Sequence, residues 1–187
     1  MNVLITGGTG FIGSALTRSL LADGQRVVVL TRSPQQTHLP HGAESLGWDG
    51  RTTDGWLDVF SEMDAVVNLA GATIGQWPWS AERKKLLRAS RVEAGVALTR
   101  AFQRAAKKPK VLIQASGVGY YGPRGAQLLD ENAPAGRDFI AALAQEWEAS
   151  TKLVDALGVR RVILRTALVL ATAGEFGDLS RLDYFIN

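Results

Sequence analysis

The chain has 187 residues, 46% of them hydrophobic and 21% charged, which suits one globular domain and excludes wholesale disorder. It holds no cysteine and only His38 and His41, so disulfides, thiolate metal sites and a histidine metal cluster are excluded. No apolar run approaches a membrane span, and Met1 to Thr6 lacks the basic region of a signal peptide, so a cytoplasmic protein with no membrane partner is expected. The net charge is only +3.

Val3-Leu4-Ile5-Thr6 is a short continuous apolar run, the pattern of a strand buried on both faces. A helical pattern follows from Phe11 to Ala22, stopped by Asp23-Gly24. Arg26-Val27-Val28-Val29-Leu30 reads as a second strand, ended by Thr31-Arg32-Ser33-Pro34, and Pro34 to Gly42 as a loop. Ser45 to Trp48 is a weaker strand, whereas Ala65 to Leu69 and Val111 to Ala115 are strong ones. Ser80 to Ala106 predicts a long helix capped by Ser80, with Ala89, Val92, Val96 and Phe102 near one face and the arginines mostly elsewhere. A second long helix is expected from Phe139 to Leu157, ended by Gly158, before a last strand at Val162 to Arg165. Strands alternating with helices imply a parallel sheet covered on both sides, so the fold class is α/β, doubly wound.

Charge is unevenly placed. Residues 83–110 carry Arg83, Lys84, Lys85, Arg88, Arg91, Arg100, Arg104, Lys107, Lys108 and Lys110 against Glu93 alone. Such a stretch is either the solvated face of a helix or a surface for an anion. Phe102 is the only aromatic among these charges, which argues against stacking on single strands, and no nucleic-acid partner is expected.

Thr6-Gly7-Gly8-Thr9-Gly10-Phe11-Ile12-Gly13 fits G-x-G-x-x-G through Gly8, Gly10 and Gly13, and G-x-x-G-x-x-G through Gly7, Gly10 and Gly13. Its place, directly after the first strand and opening the first helix, is what a dinucleotide-binding turn requires. Glycines there permit the tight turn, admit a pyrophosphate close to the backbone and let helix and strand pack closely. The N–H groups at the helix start then face the phosphates. An NAD site places a carboxylate at the end of the second strand, about 20 residues past the loop. Here that end reads Leu30-Thr31-Arg32-Ser33, and Arg32 can pair with a 2′-phosphate, which favours NADP(H).

These segments, with Asp64-Ala65-Val66-Val67-Asn68-Leu69-Ala70-Gly71 and Ala115-Ser116-Gly117-Val118-Gly119-Tyr120-Tyr121-Gly122, resemble the extended short-chain dehydrogenase/reductase superfamily. The match is to its atypical "epimerase family" branch, often labelled nucleoside-diphosphate-sugar epimerase; Asp138 to Glu148 and Arg165 to Leu170 look like that branch too. The resemblance implies a Rossmann fold that binds NADP(H). By position, Gly7, Gly10, Phe11, Ile12 and Gly13 hold the pyrophosphate, and Thr31 and Arg32 the adenosine phosphate. Leu69, Ala70 and Arg91 contact the cofactor, and Val169 lies near the nicotinamide.

The superfamily transfers hydride with a Tyr-x-x-x-Lys pair and a Ser or Thr. None of Tyr120, Tyr121 and Tyr184 has a lysine four residues on, and the positions expected for the pair hold Ile140 and Ala144. Ser116 and Tyr121 remain as candidate catalytic or substrate-side groups, while Trp147 and Glu148 are expected to serve helix packing and solvent contact. Tyr120 and Arg124 have a tempting spacing, but Gly122-Pro123 between them keeps them off one helix face. Residues 1–170 are expected to form the NADP-binding domain and 171–187 a short tail, with most of the substrate-binding part lacking. The expectation is an oxidoreductase or epimerase-like protein acting on a sugar nucleotide or other carbonyl compound, self-associating through the last sheet edge. The alternative is a dinucleotide-binding module or remnant without turnover.

Overall fold

The structure, a computed structural model, describes residues 1–36, 38–76 and 78–169. The elements follow as β1 (Asn2–Thr6), α1 (Phe11–Ala22), β2 (Arg26–Thr31), β3 (Glu44–Gly47), α2 (Leu57–Phe60), β4 (Ala65–Asn68), α3 (Ala81–Arg104), β5 (Val111–Gly117), α4 (Phe139–Ala149) and β6 (Arg160–Thr166). Short 3-10 turns occupy Pro34–Gln36, Val118–Tyr121 and Lys152–Leu157. The tail expected over 171–187, with Tyr184, lies outside the described residues.

The strands form one sheet in the order β3-β2-β1-β4-β5-β6, and every recorded pairing is parallel. Strand order reverses between β1 and β4, which opens a crevice at the carboxyl ends of the strands. Register sets Thr6 beside Asn68 and Ser116 beside Arg165, so polar side chains cluster at that end.

Alternate residues of the central strands supply two cores. Val3, Ile5, Val27 and Val29 pack with Leu16, Leu20 and Leu21 of α1. Leu4, Val28, Val66 and Leu112 face Ala94, Leu98, Ala101 and Phe102 of α3. That second core is extended by an edge-to-face chain of Trp48, Trp56, Phe60 and Phe102, with centroids 5.8, 5.6 and 4.9 Å apart. Both indole N–H groups of Trp48 and Trp56 donate to the Thr52 carbonyl, so the polar edges of this cluster are satisfied.

The structure corrects two helical expectations. In α3 the buried stripe is Leu87, Arg91, Ala94, Leu98, Ala101 and Phe102; Ala89, Val92 and Val96 are only half-buried. An arginine inside the apolar stripe displaced the expected face. The helix expected from Phe139 to Leu157 ends at Ala149 and resumes as the 3-10 turn. Ser150 Oγ donates to the Trp147 carbonyl at 2.6 Å and Thr151 Oγ1 to that of Glu148 at 3.4 Å. Such hydroxyls compete with the helix ladder for its carbonyls. Gly95 lets α3 approach this break, because a Cβ there would lie 2.8 Å from Ser150 Cβ.

Phe60 is fully buried between Trp56 and Phe102. Phe60→Ala is expected to destabilise the chain by about 3–5 kcal/mol in urea unfolding, whereas a loss below about 1 kcal/mol would show that the aromatic chain is dispensable.

Candidate functional site

The loop from Gly7 to Gly13 lies at the reversal of strand order. Gly7 adopts φ +70°, and a Cβ on it would stand 2.5 Å from the Leu69 carbonyl oxygen. A Cβ on Gly13 would stand 2.6 Å from Gly8 Cα, so α1 starts against the loop itself. Gly10 N donates to the Gly7 carbonyl at 3.0 Å, closing the turn. Gly10 is the N-cap of α1, no side-chain cap covers that helix end, and the first turn holds no acidic residue. Phe11 is half-buried and Ile12 exposed.

Beneath the loop runs a buried polar ladder. Thr6 Oγ1 donates to Asn68 Oδ1 at 2.6 Å, Asn68 Nδ2 to Gln114 Oε1 at 2.8 Å, and Gln114 Nε2 to the Ala115 carbonyl at 2.8 Å. Asn68 Oδ1 also accepts from Ala70 N at 3.3 Å, which ties the chain just past β4 to the ladder. Thr31 closes β2, and Arg32 is exposed just beyond it. Val169 is exposed past the end of β6.

Arg91 is 6% exposed, and its guanidinium carbon sits 5.0 Å from the Trp147 ring centre. It reaches under Gly71, where a Cβ would stand 2.9 Å from that carbon, and Nη1 donates to the Leu87 carbonyl at 3.1 Å. Burial, reinforced by the neighbouring Arg83 charge, pushes Arg91 down to about 10.

At the ends of β5 and β6 the side chains converge on one ion pair. Arg165 Nε and Nη2 donate to Glu148 Oε1 and Oε2 at 2.8 and 2.9 Å. Ser116 Oγ donates to Glu148 Oε1 at 2.6 Å, and Arg165 Nη1 donates to Tyr121 Oη at 2.9 Å. The guanidinium also lies 3.5 Å from the Tyr120 ring centre, and Glu148 holds its pKa above the ordinary arginine value. The expectation of solvent contact for Glu148 is therefore corrected: its side chain is 13% exposed and anchors Ser116 and Arg165. Arg124 turns away from Tyr120, donating instead to the carbonyls of Tyr121 and Pro134. Ile140 packs on Gly119, and Ala144 is buried.

The structure thus links Ser116 and Tyr121 through the Glu148–Arg165 pair and sets the glycine loop against Leu69. Arg32 and Val169 are exposed past the ends of β2 and β6. Sequence reasoning missed Glu148, Arg165, Asn68 and Gln114 as parts of the site. The available signal was the pairing of polar residues at the carboxyl ends of adjacent strands.

The profile described as the NAD dependent epimerase/dehydratase family matches residues 3–180. The chain belongs to this family. Among its relatives, an epimerase family protein of Mycobacterium leprae is 39% identical over 180 residues, covering 96% of this chain and 56% of its own. The epimerase family protein SDR39U1 of Bos taurus is 37% identical over 177 residues, covering 93% of this chain and 56% of its own. Human SDR39U1 (isoform 2), solved with NADPH, superposes with a TM-score of 0.74 at 31% identity, covering 98% of this chain and 59% of that one. A nucleoside-diphosphate sugar epimerase from Corynebacterium glutamicum gives a TM-score of 0.77 at 30% identity, with 98% of this chain and 37% of that one covered. The chain therefore spans a little over half the length of the curated relatives it matches. Its six-stranded parallel sheet accords with that membership. No helix among the described residues is long and apolar enough to cross a membrane.

The Glu148–Arg165 pair is mostly buried, so removing one partner strands the other. Glu148→Leu is expected to destabilise the chain by about 2–4 kcal/mol, and adding Arg165→Met should recover part of that loss. Additive losses in a double-mutant cycle of urea unfolding would show that the two side chains are not coupled.

Proposed function

We propose that this chain binds NADP(H) in the crevice between β1 and β4 and serves oxidoreductase or sugar-nucleotide epimerase chemistry in the cytoplasm. The observation that carries the reading is the glycine loop. Gly7 and Gly13 leave no room for a Cβ, and the α1 start is capped by no side chain. Backbone N–H groups at Phe11, Ile12 and Gly13 are then the natural seat of a pyrophosphate, with Gly7 and Gly10 shaping the turn. Leu69, Ala70, Arg91 and Val169 complete the cofactor contacts. Thr31 and Arg32 would take the 2′-phosphate, since the end of β2 offers a cation and no carboxylate. The NADPH in the human relative supports the same choice.

Bound NADP(H) would supply hydride transfer. The chain's own part is to orient the ring end: Ser116 and Tyr121, held by Glu148 and Arg165, stand as the polar groups on the substrate side. The substrate class is a sugar nucleotide or other carbonyl compound. A second reading, dinucleotide binding without turnover, is favoured by one observation: Ile140 and Ala144 occupy α4 where a proton-transferring pair is expected.

Titration of the purified chain with NADPH and NADH, followed by quenching of its five tryptophans, tests the cofactor. NADPH is expected to saturate, with NADH at least roughly tenfold weaker, and Arg32→Glu to reverse the order. Failure of both nucleotides to bind, or an NADPH affinity unchanged in Arg32→Glu, would overturn the assignment.

A further inference from the structure

Of the basic run over residues 83–110, Arg91 lies under Gly71 beside the crevice, but the last three lysines do not. Lys107, Lys108 and Lys110 belong to the turn between α3 and β5, which enters the sheet at its amino end. β5 then runs seven residues, roughly 20 Å of extended chain, before it reaches the carboxyl end. The turn that leads from α4 into β6 brings Lys152 to the same amino end, since β6 lies parallel to β5. Arg160 N donates to the Lys110 carbonyl at 3.0 Å, which pins the two turns side by side. Beneath them Ala105, Val154, Leu157 and Val159 pack into one core.

The outer surface of this pair of turns is cationic. Lys107, Lys110, Lys152 and Arg160 are exposed, and Lys108 is half-buried. No ion pair among the described residues takes up any of the five. Two acids lie close by: Asp155, held by Arg161 at 2.8 Å, and Asp64, which accepts from Asn2 N at 2.8 Å. Asp64 feels the charges of Lys107 and Lys110, and Asp155 that of Lys152. With Arg161 counted, six cations against two carboxylates leave the surface positive. Next to Lys152, Leu153 is 63% exposed, whereas Ala106, Ala156 and Gly158, the other exposed uncharged residues of the two turns, are small.

Cations beside one protruding aliphatic side chain match an anionic lipid surface. Their charges meet the headgroup phosphates while the leucine enters the interface. A nucleic-acid duplex offers phosphates but gives Leu153 nothing to enter, and the two turns carry no aromatic side chain to stack on single strands. We propose that the turns at 107–110 and 152–160 form a docking surface for an anionic membrane, with the carboxyl ends of the strands turned away from it. The expectation of no membrane partner rested on the lack of a spanning segment or signal peptide, and a peripheral surface needs neither. The proposal is independent of the cofactor.

Co-sedimentation of the full chain with vesicles tests it, comparing phosphatidylcholine alone with phosphatidylcholine holding about 30% phosphatidylglycerol. At about 0.1 M sodium chloride binding is expected to the anionic vesicles only, and about 0.5 M salt should release the chain. Each lysine near the surface counts roughly fivefold in partitioning, so Lys107→Gln with Lys110→Gln should weaken binding by at least roughly tenfold. Leu153→Ser should weaken it severalfold. Lys84→Gln with Lys85→Gln, at the far end of α3, should leave it unchanged. All of these side chains are exposed, and melting temperatures equal to wild type show that a loss is one of binding. No binding to the anionic vesicles, or equal losses in the two lysine pairs, would overturn the proposal. So would stronger binding to a DNA duplex that Leu153→Ser does not weaken, which would assign the surface to nucleic acid.

Discussion

Everything at the carboxyl end of the sheet depends on how closely the first loop is laid against the fourth strand. The Leu69 carbonyl occupies the space a Gly7 side chain would need, and Gly8 Cα occupies that of Gly13. Backbone is therefore the only material the chain presents at this point. The contact holds because the strand ends beneath it are tied laterally by Thr6, Asn68 and Gln114. Each polar atom of that ladder is buried, so slipping one strand would leave several hydrogen bonds unmade at once.

The two sides of the crevice solve burial of charge in opposite ways. Toward β6, Arg165 and Glu148 neutralise each other with paired hydrogen bonds, and they spend their remaining capacity on Ser116, Tyr121 and the Glu131 carbonyl. Toward α3, Arg91 relies on an aromatic face and one carbonyl. The first arrangement is complete in itself and acts as a brace. The second has no carboxylate partner among the described residues, and Arg91 stays buried against Trp147.

The sequence made the strands, the glycine turn and the Ser80 cap legible because each is decided within a few neighbouring residues. The valine run of β2 and the glycines of the loop need no knowledge of the rest of the chain. The Ser116–Glu148 bond spans 32 positions and the Arg165–Glu148 pair 17, and both depend on α4 lying over adjacent strands. Nothing local distinguishes Glu148 from the solvated glutamate that its helix would ordinarily carry. Arg91 misled for a related reason. A charged residue in an apolar stripe shifts the apparent helix face, and only packing against Trp147 shows that the stripe runs through it. The early end of α4 was hidden because Ser150 and Thr151 act on carbonyls three residues back, against a background of good helix formers.

A hydroxyl carries one proton, and that of Ser116 is given to the Glu148 side chain, which also accepts from Arg165. What remains on the oxygen is a pair of acceptors. Anything that meets Ser116 must bring its own hydrogen, as an alcohol or an amide does and a bare ketone oxygen does not. Tyr121 is set the other way: its oxygen receives the Arg165 N–H, which leaves its proton to give. A single ion pair thereby assigns opposite hydrogen-bond polarity to two hydroxyl groups that, by residue type alone, could have exchanged parts.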